Sequence, residues 1–293
     1  MLDRETLTQL QYRDQLFLMD LYNLQFVDVE YLQESIYKGI SKSTIHRRMN
    51  KLEQDGFIQS FRVPILNTRG GQSKNVYALG KTGSREVAAL LGDITWRYDI
   101  TDRVPSHVYH QLMLSYVYAA FQEDRLTPES EHKHPKFSLV QYVSEKNGYF
   151  SYDGKQDARE SVTIRPDGIL VIQNRETGKN AAFLLEVERS FQTKETTIKK
   201  LQRYNLYCQH GLYKSEHLCF DYPVSTPRVL FVAKEQKGIK RLLTHSAGID
   251  TSSTSGVLFT SLEDIRRDPY GAICLAKDST DLEKKYAITE PIK

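Results

Sequence analysis

The spacing of the apolar residues changes from that of a helix to that of a strand within residues 41–66, which read SKSTIHRRMNKLEQDGFIQSFRVPIL. The apolar residues of its first part share one face of a helix: Ile45, Met49 and Leu52. Either Ser41 or Ser43 can cap that helix, and Gly56 is typical of the residue that ends one. After Gly56 the period falls to two, as in a strand. The stretch therefore predicts a helix, a glycine turn and a strand.

The neighbouring segments extend this pattern. Further elements are expected on both sides: helices at 11–24 and 27–37, a strand at 75–80 and a helix at 81–92. The two strands are joined by a polar, basic loop, NTRGGQSK, at residues 67–74. Two helices, a turn, a third helix and a basic hairpin are the pattern of a winged helix-turn-helix, whose third helix enters the DNA major groove. In Gly56-Phe57-Ile58 and in the run from Tyr77 to Gly83, the segment resembles bacterial winged-helix regulators.

The charge of the chain is concentrated in the same region. Between Lys38 and Arg85 there are ten Lys and Arg residues and two acids, so ten minus two gives +8 in 48 residues. The whole chain carries +3, so the remainder carries 3 − 8 = −5. Such an excess indicates a polyanionic partner, and the alternative is a solvated basic face. Contacts to double-stranded DNA, at an origin or operator, are expected from Lys42, Ser43, Thr44, His46, Arg47, Arg48, Lys51, Arg69 and Lys74.

Several classes of protein are disfavoured. No apolar run approaches the roughly 20 residues of a membrane-spanning helix, and the first fifteen residues lack the apolar stretch of a signal peptide. We therefore expect a cytoplasmic protein without membrane contact. The motifs GxSxG, GxGxxG and GxxxxGK[ST] are absent, and the three cysteines have no zinc-site spacing.

The second half has a different pattern. Its expected elements are a helix at 106–122, strands at 137–144, 148–152, 161–174 and 181–188, a helix at 193–211, a strand at 228–235, a helix at 235–247 and a strand at 256–261. This order predicts an α/β or α+β domain with a mixed sheet, and with the winged helix the chain as a whole is expected to be α+β. Apolar periodicity lapses near residues 95–105, so we expect a winged-helix domain at 1–100 and a second domain at 101–293.

Two segments of the second half, a strand and a bend before its neighbouring strand, carry candidate acidic residues. Alternation puts Glu186 and Glu188 on one face of a strand that is otherwise apolar, which is costly unless the charges are compensated. Asp167 follows a proline at a bend that opens the neighbouring strand. We therefore expect Asp167, Glu186 and Glu188 to bind Mg²⁺ or Mn²⁺, which would lower the pKa of a bound water and stabilise the leaving oxygen of a phosphodiester.

These residues resemble a nuclease motif. Pro166-Asp167, followed nineteen positions after Asp167 by Glu186-Val187-Glu188, is similar to the PD-(D/E)xK motif, although Glu188 stands where that motif has lysine. The resemblance implies an αβββαβ core like that of restriction endonucleases. Some members carry the lysine on the following helix, which here offers Lys200 and, one turn on, Tyr204. Lys199 and Arg203 compete for the same role.

A winged helix followed by PD, (L/V)EVER and KxxxY resembles, more narrowly, the replication-relaxation proteins of bacterial plasmids and mobile elements, over about residues 10–235. This resemblance implies catalytic roles for Asp167, Glu186, Glu188, Lys200 and Tyr204. It also implies a metal-dependent DNA nickase or relaxase acting in replication or mobilisation. A homodimer and other replication or mobilisation proteins are the further partners expected.

Each candidate has a plainer alternative. Asp167 can be part of a β-turn, Glu186 and Glu188 can form an exposed edge paired with Lys or Arg, Lys200 can be solvated, and Tyr204 can belong to the core. His107 and His110 can share a metal or simply pack.

Two functions remain open. The first is the nickase or relaxase, favoured by Asp167 and Glu186. The second is a non-catalytic winged-helix regulator of plasmid or prophage replication or transcription, favoured by Glu188 in place of lysine. Conventional relaxases use a His-hydrophobic-His pair, and the HxH of this chain, at residues 132–134, has lysine at its centre.

Overall fold

The computed structural model describes residues 8–64, 73–96, 104–123, 125–126, 134–154, 161–189, 193–214, 220–277, 279, 281 and 283–290. Contacts divide the chain into two compact units, residues 1–119 with 124–131 and residues 120–123 with 132–293. The predicted domain boundary at residue 100 lies inside the first unit. That boundary stays a prediction.

The first unit contains five helices and three strands within the described ranges: α1 (Tyr12–Leu24), β1 (Val27–Asp28), α2 (Val29–Glu34), α3 (Lys42–Gln54), β2 (Ile58–Val63), β3 (Lys74–Leu79), α4 (Lys81–Leu91) and α5 (Pro105–Phe121, of which 105–119 belong here). The strands form an antiparallel sheet in the order β1-β3-β2. Helices α1 to α3 are followed by the antiparallel strands β2 and β3, in the predicted order, and the winged helix-turn-helix stays an interpretation of that order.

Helix α3 begins and ends where its sequence predicts. The Ser41 side chain accepts a hydrogen bond from the backbone N–H of Thr44 at 3.3 Å, so Ser41 is the cap and Ser43 is not. Gly56 follows the helix with φ of 70°, a left-handed conformation that favours glycine. Ile45, Met49 and Leu52 are buried, which turns the polar residues of α3 outward.

The second unit is built on one large sheet. Its elements are β4 (Phe137–Ser144), β5 (Phe150–Tyr152), β6 (Val162–Ile164), β7 (Gly168–Asn174), β8 (Asn180–Glu188), α6 (Lys194–Gln209), β9 (Arg228–Ala233), α7 (Gln236–Ser246), β10 (Val257–Ser261), α8 (Leu262–Arg267), β11 (Ala272–Ala276) and β12 (Tyr286–Ala287). The sheet order in the described structure is β12-β11-β10-β9-β8-β7-β4. Strands β8, β9 and β10 are parallel and the other pairs are antiparallel, so the sheet is mixed as predicted.

When the separate β5–β6 hairpin is left aside, the order α5-β4-β7-β8-α6-β9 is the predicted αβββαβ order. The run at 161–174 forms two strands with a break at residues 165–167, where the bend at Asp167 was expected: β6 pairs with β5, and β7 joins the main sheet. The elements after residue 261 were not predicted. No helix in the described ranges is long and apolar enough to cross a membrane.

Strand β8 lies in the middle of the sheet, between β7 and β9, and is buried on both faces. On one face, Leu184 belongs to a core cluster with Leu201 and Tyr204 of α6 and Leu242 of α7. Because side chains alternate, Glu186 and Glu188 continue that face toward the end of the strand. Both carboxylates therefore point to the layer that α6 and α7 form.

Candidate functional site

Glu186 is at the centre of the candidate site. Its exposed fraction is 1 %, and ionised carboxylates are buried only where partners compensate their charge. Two side chains of α6 do so: Lys200 Nζ donates to Oε2, and the Tyr204 hydroxyl donates to Oε1. Lys200 and Tyr204 are one helical turn apart and so reach the same point. Lys199 and Arg203, the competing candidates, are exposed.

Asp167 is held beside Glu186 by the sheet. Its backbone N–H donates to Leu185 O at 2.9 Å, and its Oδ2 accepts from the Val187 N–H at 2.7 Å. The carboxylate thus ties the start of β7 to the strand that carries Glu186. Asp167 lies at a bend, as the turn interpretation expects, but its side chain is directed to β8.

The pKa values of the site residues depend on their burial and on the neighbouring charges. Burial first, and then the charge of Asp167, raises the pKa of Glu186 to about 7, although Lys200 and Tyr204 act in the opposite direction. Burial lowers the pKa of Lys200, but the charges of Glu186 and Asp167 outweigh it and leave that pKa raised. Burial and then Glu186 raise the pKa of Tyr204 well above its ordinary value. The site therefore favours a protonated Lys200 and a neutral Tyr204.

Glu188 has a different partner. Its exposed fraction is 3 %, and its Oε1 accepts a hydrogen bond from Arg241 of α7 at 3.2 Å. The alternative of an exposed edge paired with Lys or Arg is therefore wrong about exposure and right about pairing, since Lys200 pairs with Glu186 and Arg241 with Glu188. Sequence reasoning missed Arg241, because its contact with Glu188 joins residues far apart in the chain.

Tyr142 of β4 is a second residue that sequence reasoning missed. A Cβ atom on Gly168 would lie 3.1 Å from the Tyr142 ring, so glycine at that position allows the ring to pack there. Burial, and then the charge of Asp167, raises the pKa of the Tyr142 hydroxyl. The ring therefore lies over the start of β7, next to Asp167.

The predicted three-carboxylate metal set needs a correction. Within the ranges that the structure describes, no group of three His, Cys, Asp or Glu side chains is placed to hold a metal ion. Arg241 engages Glu188, which leaves Asp167 and Glu186 as a pair whose charges oppose each other. Mg²⁺ commonly uses one or two carboxylates together with water and phosphate oxygens. Asp167 and Glu186 supply the kind of ligand that such an ion uses, but Lys200 and Tyr204 engage both oxygens of Glu186, so Lys200 would have to leave Oε2 before an ion could bind there.

The predicted DNA contacts of α3 lie mostly on its outer face. Six of them are exposed: Lys42, Ser43, Thr44, His46, Arg47 and Lys51. His46 also lies 3.2 Å from the Tyr77 hydroxyl of β3. Together with Ser60, Arg62 and Asn75, His46 lines a groove between α3 and the hairpin strands. Arg69 lies outside the described residues.

Two predicted DNA contacts are instead engaged inside the first unit. Arg48 forms an ion pair with the buried Asp14, donating from Nε to Oδ1 at 3.1 Å. Lys74 donates to Asp28 at 2.9 Å and to Glu30 at 3.2 Å. Both cations neutralise acids of the same unit and so contribute to its structure, while their contacts to DNA stay predictions.

The histidine candidates show packing contacts. The His107 ring packs edge-on against Phe26, with centroids 6.1 Å apart. His134 stacks on Phe137 at 5.2 Å, and His132 is outside the described residues. These contacts agree with the packing alternative for His107.

Comparisons with known proteins relate the chain to one family. The sequence model of the family described as Replication-relaxation matches residues 18–221. Among solved structures, the restriction endonuclease FokI, alone and bound to DNA, is similar at 13 % identity, with TM-scores of 0.30 and 0.26. Each comparison covers 86 % of this chain and 43 % of the FokI chain, and a similarity of this size indicates neither activity nor partner. No curated protein matches.

Proposed function

Because this chain belongs to the replication-relaxation family, we propose that it binds double-stranded DNA and acts in the replication or mobilisation of a bacterial plasmid or another mobile element. The observation that carries the proposal is the outer face of α3. That face combines cations for phosphates, Lys42, Arg47 and Lys51, with short polar side chains suited to base edges.

Salt dependence tests this proposal. Each phosphate contact contributes about −0.9 to the slope of log K against log salt concentration. We expect the double variant Arg47→Ala/Lys51→Ala to flatten the slope on a mixed-sequence duplex by about two contacts. The matched control, Lys81→Ala/Arg85→Ala, removes two exposed cations of α4 and leaves the slope unchanged. Equal slopes for the two double variants would show that Arg47 and Lys51 of α3 do not contact the phosphates.

A metal-dependent DNA nickase is the finer function that we propose for the second unit. It is supported by the convergence of Asp167, Glu186 and Lys200 at one end of the sheet. Asp167 and Glu186 would hold Mg²⁺ or Mn²⁺. A bound divalent ion activates a water and stabilises the leaving oxygen of a phosphodiester.

The residues of the chain have distinct tasks in this proposal. Lys200 balances the charge of Glu186, and once released from Oε2 it can neutralise a phosphate oxygen. Tyr204 orients the Glu186 carboxylate through Oε1. Its hydroxyl is buried and its pKa is raised, so we assign it a positioning role and not that of a nucleophile. Arg241 neutralises Glu188.

Nicking of a supercoiled plasmid that carries the cognate origin, in Mg²⁺ or Mn²⁺, tests the nickase. We expect Asp167→Asn to reduce the rate about a hundredfold or more, equivalent to several kcal/mol of transition-state stabilisation. Lys200→Ala should reduce the rate, whereas Lys199→Ala, on the exposed side of α6, should not.

A non-catalytic regulator is the alternative function. It is favoured by the contacts of Glu186, because Lys200 and Tyr204 already engage both oxygens of its carboxylate. If the wild-type protein leaves its cognate origin intact with both metals, and Asp167→Asn complements the gene in vivo, the regulator is the function.

The predicted homodimer and the other replication or mobilisation partners remain predictions. A dimer would place two recognition helices on successive half-sites of one DNA face. Sedimentation of the full chain with and without a duplex measures its stoichiometry.

A further inference from the structure

One face of α7 carries basic residues. The helix sequence, QKGIKRLLTHS, contains no acid. Ile239, Leu242 and Ser246 are its buried residues. The basic residues, which we call the α7 stripe, are Lys237, Lys240, Arg241 and His245, at the i, i+3, i+4 and i+8 positions. Lys237 and Lys240 are exposed, whereas Arg241 and His245, at the border of the stripe, are half-buried.

The α7 stripe begins at the end of the sheet that carries the candidate site. Strand β9 ends at Ala233, which pairs with Glu188 of β8, and α7 starts three residues later. Arg241 of the stripe donates to Glu188 at 3.2 Å. The stripe is thus anchored on the strand that also carries Glu186.

The charge of the stripe comes from its lysines and its arginine. Burial, followed by the charges of Arg241 and Lys194, lowers the pKa of His245, which therefore adds little charge at neutral pH. The acids near the start of α7 are themselves paired: Glu235 with Lys234 at 3.8 Å, and the buried Asp264, which accepts a hydrogen bond from Gln236 at 2.7 Å, with Arg267.

The lysines of the stripe are cations that face solvent at this end of the sheet. Lys200 and Arg241 pair with Glu186 and Glu188, whereas Lys237 and Lys240 are exposed. These two lysines are about 4.5 Å apart along the helix axis, at 1.5 Å per residue. Duplex DNA carries one charge per about 1.7 Å of its axis, so the two lysines can face neighbouring phosphates.

We infer that the α7 stripe, through Lys237 and Lys240, binds the DNA backbone beside the Asp167–Glu186 site, as a second contact surface separate from α3. The inference rests on the proposed function, since it concerns the same DNA. It assigns α7 a sequence-independent role, because lysines contact phosphates and carry no information about the bases.

A pair of matched double variants of the full chain tests the inference. Lys237→Gln/Lys240→Gln removes two charges of the stripe and leaves Arg241 with Glu188. Lys179→Gln/Lys214→Gln removes two exposed lysines of the same unit, one beside the β7–β8 turn and one beyond the last residue of α6. On a mixed-sequence duplex, the stripe variant should flatten the slope of log K against log salt concentration by about 1.8, and the control should not.

Protection of lysines by DNA gives a second measurement on the wild-type protein. With saturating duplex, labelling of Lys237 and Lys240 by an amine-reactive reagent should fall severalfold, as read by mass spectrometry. Labelling of Lys179 and Lys214 should stay constant. This readout does not depend on the folding of a variant.

The outcomes separate the two proposals. If Arg47→Ala/Lys51→Ala flattens the slope while the stripe variant behaves like its control and Lys240 is unprotected, the inference is wrong and the proposed function stands. If the wild-type protein binds no duplex at low salt, the proposed function and the inference are both wrong.

Discussion

Buried charge pairs decide what individual residues do in this protein. Arg47 and Arg48 are neighbours in α3, yet Arg47 is exposed, whereas the Arg48 side chain retains 19 % exposure and pairs with Asp14, which retains 1 %. The Tyr37 hydroxyl also donates to Asp14, at 2.8 Å. One arginine is thus available to a ligand and the other stabilises the fold.

Replacing these arginines should separate stability from binding. Arg48→Ala leaves Asp14 without its cation, so we expect the free energy of unfolding to fall by on the order of 3 kcal/mol. Arg47→Ala should change it by less than about 0.5 kcal/mol, as surface substitutions usually do. Urea unfolding measures both. Adding Asp14→Asn to Arg48→Ala should restore part of the loss, and no restoration would show that Asp14 is not the cause.

Glu186 predicts a pH dependence of stability. Its pKa is raised from an ordinary 4.5 to about 7 in the folded protein. The folded state therefore holds a proton that the unfolded chain releases, and this contribution to stability is complete below pH 4.5 and lost as the pH rises through about 7. With EDTA present, wild type should lose on the order of 3 kcal/mol relative to Glu186→Gln between these pH values.

Urea unfolding across that pH range measures the difference. Glu195→Gln, which removes an exposed carboxylate of α6, is the control and should follow wild type in parallel. A constant difference between wild type and Glu186→Gln would mean that folding does not raise the pKa of Glu186.

At the scale of elements, close backbone approach fixes α4 against the turn after α3. A Cβ on Gly83 would lie 2.1 Å from the carbonyl oxygen of Phe57, and one on Gly80 would lie 2.3 Å from that of Gly56. Neither distance is compatible with a side chain. The glycines of the run from Tyr77 to Gly83 therefore let α4 pack on this turn.

Gly83→Ala should consequently displace α4. Although alanine favours helices, the contact with Phe57 O has to open, and overpacking of this kind costs about 1 to 3 kcal/mol. Arg85→Ala, at an exposed position of the same helix, is the control and should leave unfolding within about 0.5 kcal/mol of wild type. A Gly83→Ala variant as stable as wild type would show that the turn at Phe57 can move away from α4 without a loss in the free energy of unfolding.

At the scale of the whole molecule, the proposed functions lie in different compact units. Lys42 to Lys51 of α3 belong to the first unit, and Asp167, Glu186 and Lys200 to the second. Changes in groups that share no partners usually add independently. We therefore expect binding and strand scission to respond to separate substitutions.

Asp167→Asn should abolish most scission while leaving the dissociation constant for origin DNA within about twofold. Arg47→Ala should weaken binding, but at saturating protein it should leave the single-turnover scission rate near that of wild type. The measurements are equilibrium binding and single-turnover nicking on one DNA. A loss of scission with Arg47→Ala at saturation would show that the two units act together in the chemical step.

The sequence by itself determined most of the elements before residue 261 and their order, because helix and strand periods and glycine turns are local properties. Gly56, the apolar face of α3 and the αβββαβ order follow from neighbouring residues, and so does the sharing of one strand face by Glu186 and Glu188. Only the tertiary structure decided between Ser41 and Ser43 as the cap of α3, and which charges meet. Arg48 contacts Asp14 across 34 residues of sequence, and Arg241 contacts Glu188 across 53. Such pairs depend on how distant elements pack, and for that reason the sequence did not predict the partners of Arg48, Lys74 and Glu188.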